Sequence, residues 1–360
     1  MKKLIAVIAL IAAAAACAQC AEPTVAELNP DFEQRLIQLL KPLNVGSFGY
    51  TAQTKPFVLL HMSDIHGDGE EFARLAEFYT AYEKYFDGAI CTGDLVYFSA
   101  LSDFTYWGKT PGHEKIMNII GNHDVLSTHA RDVKREQLTM NQAYLRYMAP
   151  FIDKWGVVNE RGTTYWYKDY PEKKIRLIGL DCMLHPGADR AAADGQYEWF
   201  KKALAGAKTR DLNVITAFHY QPQKLVKIDS LFTDRDKQES AWGDDSTRYR
   251  QAVDDFMNDG GKFVCWLCGH LHWEIFGYCA DYPKQLVRCG GAANRVQCAG
   301  YGFITRGDGL RSMDLADAVV VDTSTKTLKI LRVGANRDSY LRPRNGIVIN
   351  YETMEIVSQY

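Results

Sequence analysis

The 360-residue chain is 47% hydrophobic and 24% charged, and its 42 basic and 44 acidic residues leave a formal charge of -2. That composition belongs to a globular protein with length for one large domain or two ordinary ones, and it excludes a disordered chain. No Lys/Arg block follows a phosphate backbone, so no nucleic-acid polymer is expected as a partner.

At the N-terminus two lysines precede LIAVIALIAAAAACAQCA, an apolar run that ends in small residues. This is the layout of a secretory signal, too short for a membrane span and lacking the polar face of an amphipathic helix. Residues 1–20 are therefore set apart from the fold, and the protein is expected in the periplasm or outside the cell. Cys17 and Cys20 stand where a lipid-modified cysteine would stand. A lipid anchor there, which would be the chain's membrane contact, and plain cleavage after Ala18 both remain open.

Residues 21–55 form an N-terminal arm with a short helical pattern at DFEQRLIQLLKPL, and residues 56–360 form the main domain. In that domain short apolar runs alternate with helical segments. FVLLHMSD (57–64), DGAICTGD (87–94), KIMNIIGNHD (115–124), KIRLIGLD (174–181), LNVITAFH (212–219) and GKFVCWLCGHLH (261–272) each predict a strand buried on both faces. Between the first two, GEEFARLAEFYTAYEKYF places Phe72, Leu75, Ala76, Tyr79 and Tyr82 on one stripe, with Asp68 and Glu71 suited to a capping box. GQYEWFKKALAGA and STRYRQAVDDFMND predict two more helices. From residue 285 the pattern turns to hairpins, clearest at DAVVVDTSTKTLKILRV. The segment after His219 and the segment YFSALSDFTYWGKT are expected as loops that overhang strand ends and choose a substrate.

Five of the six runs stop in residues able to hold a metal: Asp64 and His66, Asp94, Asn122 and His123, His219, then His270 and His272. In open α/β sheets ligands bind beyond the carboxyl ends of strands, so these donors are expected along one edge. A compact zinc knot within CWLCGHLHW is the competing reading. Cys265 and Cys268 are three apart on a strand, however, and point to opposite faces. Carboxylate, imidazole and amide donors suit Zn, Mn or Fe, and seven of them suit two divalent ions that share a carboxylate.

The ordered set DIH (64–66), GD (93–94), GNHD (121–124), His219 and GHLH (269–272) resembles the calcineurin-like metallophosphoesterases. That resemblance implies a four-layer α-β-β-α sandwich of two mixed sheets flanked by helices, with the late hairpins completing the second sheet. It implies Asp64, His66 and His272 on one metal ion, Asn122, His219 and His270 on the other, and Asp94 as the bridge. His123 would face the leaving group, with Asp124 as its orienting partner. The activity implied is hydrolysis of small phosphate mono- or diesters by a metal-bridged hydroxide. The alternatives are a non-catalytic binding protein on the same fold, which would have lost ligands, and a monoesterase like the purple acid phosphatases. Tyr97 resembles an iron-binding tyrosine of that branch, but His66 stands where the branch has no histidine, so Tyr97 is expected in packing or substrate contact.

Tyr220, Trp273, Arg295 and Tyr97 are candidate rim residues. Asp181 is expected to be structural, and His61, His113, His129 and His185 surface or core histidines. Beyond the signal lie Cys91, Cys182, Cys265, Cys268, Cys279, Cys289 and Cys298, an odd number, so one thiol at least stays unpaired within the chain. Cys279, Cys289 and Cys298 are the expected candidates for a disulfide, and the other four are expected in the core.

Overall fold

The structure is a computed structural model that describes residues 24–41, 55–96, 108–125, 138–160, 162–182, 190–221, 225–230, 245–272, 275–290, 315–334 and 346–359. Two mixed sheets pack face to face. The seven-stranded first sheet runs β15 (Ile356–Gln359), β14 (Gly346–Asn350), β13 (Thr327–Gly334), β12 (Leu315–Asp322), β1 (Phe57–Met62), β2 (Gly88–Cys91), β3 (Ile116–Asn118). The eight-stranded second sheet runs β4 (Val158–Asn159), β5 (Trp166–Tyr170), β6 (Ile175–Leu180), β7 (Asn213–Phe218), β9 (Lys262–Cys268), β11 (Tyr282–Cys289), β10 (Ile275–Cys279), β8 (Leu225–Ser230).

All six apolar runs fold as strands, β1, β2 and β3 in parallel in one sheet and β6, β7 and β9 in parallel in the other. Because both faces of these strands are covered, their side chains are buried almost throughout. Alternation divides them between two cores. Ile175, Leu177, Ile215, Ala217, Cys265 and Leu267 face the first sheet, whereas Ile178, Leu180, Val214, Phe218, Trp266 and Cys268 pack under the helices Arg190–Thr209 and Asp245–Asn258. Cys265 and Cys268 thus enter different cores, as their spacing requires, and cannot share an ion. A register shift at Val214/Ile215 accommodates the extra residue Val264 in β9.

On the other side the helix Gly69–Tyr82 buries Phe72, Leu75, Ala76, Phe78 and Tyr79, and the Asp68 side chain caps it by accepting the Glu71 N–H at 3.0 Å. Three features depart from the sequence expectations. The helices Val25–Leu28 and Phe32–Leu40, placed in an arm outside the domain, sit in its core: Phe32 meets Phe78 at 4.8 Å and Tyr82 at 5.1 Å between ring centroids, and Arg35 donates to the Arg332 carbonyl. The late hairpins divide between sheets. β11 joins the second, but β12 pairs antiparallel with β1 and carries β13, β14 and β15 into the first. Part of the segment after His219, expected as an overhanging loop, is the edge strand β8 against β10. Residues 231–244 and most of 97–110 lie outside the described residues.

Among the described residues Cys91, Cys182, Cys265, Cys268, Cys279 and Cys289 are buried free thiols. Cys279 and Cys289, expected as disulfide candidates, are therefore not joined to each other; Cys298 lies outside the described residues. No described helix is long and apolar enough to cross a membrane.

Candidate metal centre

The parallel strands continue as a ladder past their regular ends. Asp64 N–H donates to Gly93 C=O at 3.0 Å, His66 N–H to Asp94 C=O at 2.9 Å, Gly67 N–H to Leu95 C=O at 2.9 Å, and in the second sheet Gly269 N–H to His219 C=O at 2.9 Å. Along this edge Asp64 (φ 56), His66 (φ 50), Asp94 (φ 55), His270 (φ 70) and His272 (φ 60) are left-handed. For residues with a Cβ this conformation costs roughly 1–2 kcal/mol each, and it persists where the surroundings over-determine it.

Glycines beside the donors make that crowding possible. A Cβ on Gly121 would lie 2.2 Å from Asp94 Oδ1 and 2.3 Å from its backbone nitrogen, and one on Gly269 would lie 1.9 Å from Ser63 Oγ and 2.7 Å from Asp64 Oδ2. Gly93, itself at φ 99, would place a Cβ 2.5 Å from His219 Nδ1.

The seven predicted donors converge. Ligand atoms of Asp64, His66, Asp94 and His272 lie within 4.8 Å of one another, and so do those of Asp94, His219 and His270. Asp94 belongs to both groups. Asn122, at the start of the short helix Asn122–Val125, places Oδ1 2.9 Å from His270 Nδ1 and 3.0 Å from His219 Nε2. Two imidazole nitrogens, His66 Nε2 and His272 Nε2, face each other at 2.9 Å. Buried Asp94 Oδ2 has no hydrogen-bond partner among the described residues, although His219 Nε2 is 3.2 Å away and His66 Nε2 3.8 Å. Lone pairs turned inward around an unsatisfied carboxylate oxygen are what a cation resolves, and the donor types suit Mn, Fe or Zn.

Electrostatics points the same way. Burial pushes His66 and His270 down to about 3, so both rings stay neutral and keep a lone pair to offer. Burial would also raise the Asp64 and Asp94 carboxyls, but His272 holds Asp64 below the usual carboxylate range, and His219 and His123 hold Asp94 well below it. Burial opposes a charged His219, yet the Asp94 carboxylate wins and lifts it to about 9. Asp94 thus draws positive charge toward itself even from a fully buried imidazole.

His123 is fixed through its backbone, whose N–H donates to Asp94 Oδ1 at 2.8 Å. Its half-buried ring meets the His66 ring edge-on at 4.8 Å. Asp124 is placed differently from the expectation. Its carboxylate accepts the backbone N–H groups of Asp94 (3.0 Å), Gly121 (2.8 Å) and Val96 (3.2 Å), so it braces the Gly93–Asp94 turn and makes no hydrogen bond to the His123 ring. Burial, then the Asp94 charge, raises its pKa.

Tyr220, expected at the rim, is 1% exposed and packs its ring against His270 at 4.6 Å. Asp181 accepts the Thr164 hydroxyl and anchors Gln196, which agrees with a structural role. His113 Nδ1 donates to the Thr110 carbonyl at 2.6 Å, beside Phe151. Tyr97, Trp273, Arg295, His129 and His185 lie outside the described residues. Sequence reasoning missed Thr92, whose carbonyl takes the His219 Nδ1 at 2.7 Å and so turns Nε2 toward Asn122 and Asp94. A backbone acceptor leaves no mark in residue type.

No curated protein sequence matches the chain. Among solved structures, a dimetal phosphatase from Danio rerio aligns with a TM-score of 0.50 and 8% identity, covering 82% of this chain and 99% of its own. The purple acid phosphatase PPD1 of yellow lupin (Lupinus luteus) aligns with a TM-score of 0.47 and 12% identity, over 84% of this chain and 55% of its own. The protein TT1561 of Thermus thermophilus gives 0.42 and 14%, over 77% and 99%. The first of these shares the fold of two mixed sheets between helices. The family profile described as calcineurin-like phosphoesterase matches residues 57–274, more than half of the chain, and includes all of the donors just described. The chain belongs to the calcineurin-like phosphoesterase family.

Proposed function

We propose that the protein is an exported hydrolase of small phosphate mono- or diesters whose site takes two divalent cations, Mn, Fe or Zn. Asp64, His66 and His272 would hold one, Asn122, His219 and His270 the other, and Asp94 would serve both. The observation that carries this reading is the membership of Asp94 in two separate donor groups, each with ligand atoms within 4.8 Å. When bound, such ions supply Lewis acidity that draws in a phosphoryl group and activates water near neutral pH.

The chain's own residues do the rest. Asp64 and Asp94 bring the anionic charge that holds cations in a buried place. The Thr92 carbonyl fixes the His219 ring so that Nε2 faces inward. Asp124 holds the loop that carries Asp94, and the Gly121 N–H donates to it. His123, whose ring lies beside His66, would give a ring proton to the departing oxygen. The complete donor set speaks against a binding protein that has lost catalysis. The apolar leader supports export, to the periplasm or beyond, with lipid attachment at Cys17 or Cys20 as one form of it.

The test is turnover of a chromogenic phosphomonoester and a chromogenic phosphodiester with added manganese or zinc, for the wild type and His123→Ala. The variant is expected to lose on the order of 10²- to 10⁴-fold in rate while keeping its metal. Equal rates on both substrates would remove His123 from catalysis.

A further inference from the structure

The two halves of the donor set belong to different sheets, so their separation depends on what crosses the sandwich. Arg288 on β11 and Asp317 on β12 make one such crossing, with Nε to Oδ2 and Nη2 to Oδ1 both at 2.7 Å and each residue 2% exposed. Asp317 stands opposite His61 in the β12–β1 register, with Oδ2 3.8 Å from His61 Nδ1. His61 Nε2 lies 3.0 Å from Thr92 Oγ1. The Thr92 carbonyl then takes His219 Nδ1 at 2.7 Å, which returns the chain of contacts to the second sheet. The contacts run from β11 through β12, β1 and the end of β2 to the end of β7, so the series leaves the second sheet and returns to it behind the left-handed turns.

A buried ion pair is a poor device for stability alone, because desolvation offsets most of its attraction and an apolar pair of similar volume often serves as well. A bidentate pair does fix direction and distance. We infer that Arg288, Asp317 and His61 are positioning residues that set the spacing of the two donor half-sets, with Thr92 transmitting that spacing to His219. The inference rests on the two-cation reading above. It assigns a role in the site to four residues outside the family motifs.

Two variants of the full-length chain test it. Arg288→Met with Asp317→Leu replaces the bridge by apolar volume, and Thr92→Val removes the hydroxyl while keeping the carbonyl and the shape. Manganese uptake is measured by calorimetry, and the spacing of the bound ions by the exchange-coupled electron paramagnetic resonance signal. Both variants are expected to unfold as cooperatively as the wild type, to bind manganese on the order of 10- to 100-fold more weakly, and to show an altered coupled signal. A wild-type isotherm and spectrum in either variant overturns the inference. So does a double variant that no longer folds, because the bridge is then an ordinary element of stability. Wild-type protein that takes up fewer than two ions sinks the two-cation reading and the inference with it; wild-type protein that takes up two while the variants match it sinks the inference alone.

Discussion

The two edges that meet at the site are chemically unlike. The first sheet brings both carboxylates and the amide, Asp64, Asp94 and Asn122, with one imidazole, His66; the second brings three imidazoles, His219, His270 and His272, and no acid. Oxygen donors alone would suit Mg or Ca, and imidazoles alone would carry no charge to hold a cation in a buried place. Only the packed sandwich offers both properties at once. In the proposed two-cation site, selectivity for a transition metal would therefore be an attribute of the interface between the sheets, and of neither sheet separately.

The largest effect should come from removing the residue that both groups share. Asp94→Ala is expected to abolish retention of both ions and reduce hydrolysis to background, as read by metal per chain after gel filtration. Retention of two ions would break the comparison, since either edge could then hold metal without the shared carboxylate. Gly121→Ala should follow: its Cβ would strike Asp94 at backbone and side chain together, which forces the first-sheet turn to move. About 1–3 kcal/mol of stability should be lost, measured by urea unfolding, with weaker metal binding. For Gly269→Ala the nearest atoms belong to the side chains of Ser63 and Asp64 and not to backbone, so it should cost less; an equal cost would show that both turns are equally rigid.

The smallest effect concerns acid. Burial would raise the Asp317 carboxyl, but Arg288 and His61 hold it well below its ordinary value. A depressed folded-state pKa contributes stability that is present above the unfolded value of about 3.9 and is lost as pH falls through the folded value. Unfolding midpoints of the wild type should thus decline below about pH 4, and Asp317→Asn should show a shallower slope over that range. Parallel slopes would mean that this carboxyl is not linked to folding.

Much of this arrangement can be read from residues in line. The six buried strands announce themselves as continuous apolar runs, and donors at their carboxyl ends point to one edge. What stays hidden depends on contacts made far along the chain. Nothing in the sequence of β12 says that its partner is β1, with Val321 opposite Phe57. Among the described residues the edge strand β8 pairs with β10 alone, and its sequence LVKIDS carries no strong alternation. The resemblance implies Asp124 as the orienter of His123, whereas three backbone N–H groups take up its carboxylate. The left-handed geometry of five donors is hardly more readable, because Asp and His enter that region more readily than most residues with a Cβ but still do so rarely.

The ladder that continues beyond the ends of β1 and β2 has a practical meaning. The amide protons of Asp64, His66 and Gly67 are donated to carbonyls of the neighbouring turn, so they can exchange with solvent only when the two turns part. Their deuterium uptake is a built-in clock for opening of this edge, readable in the wild-type chain without altering any donor.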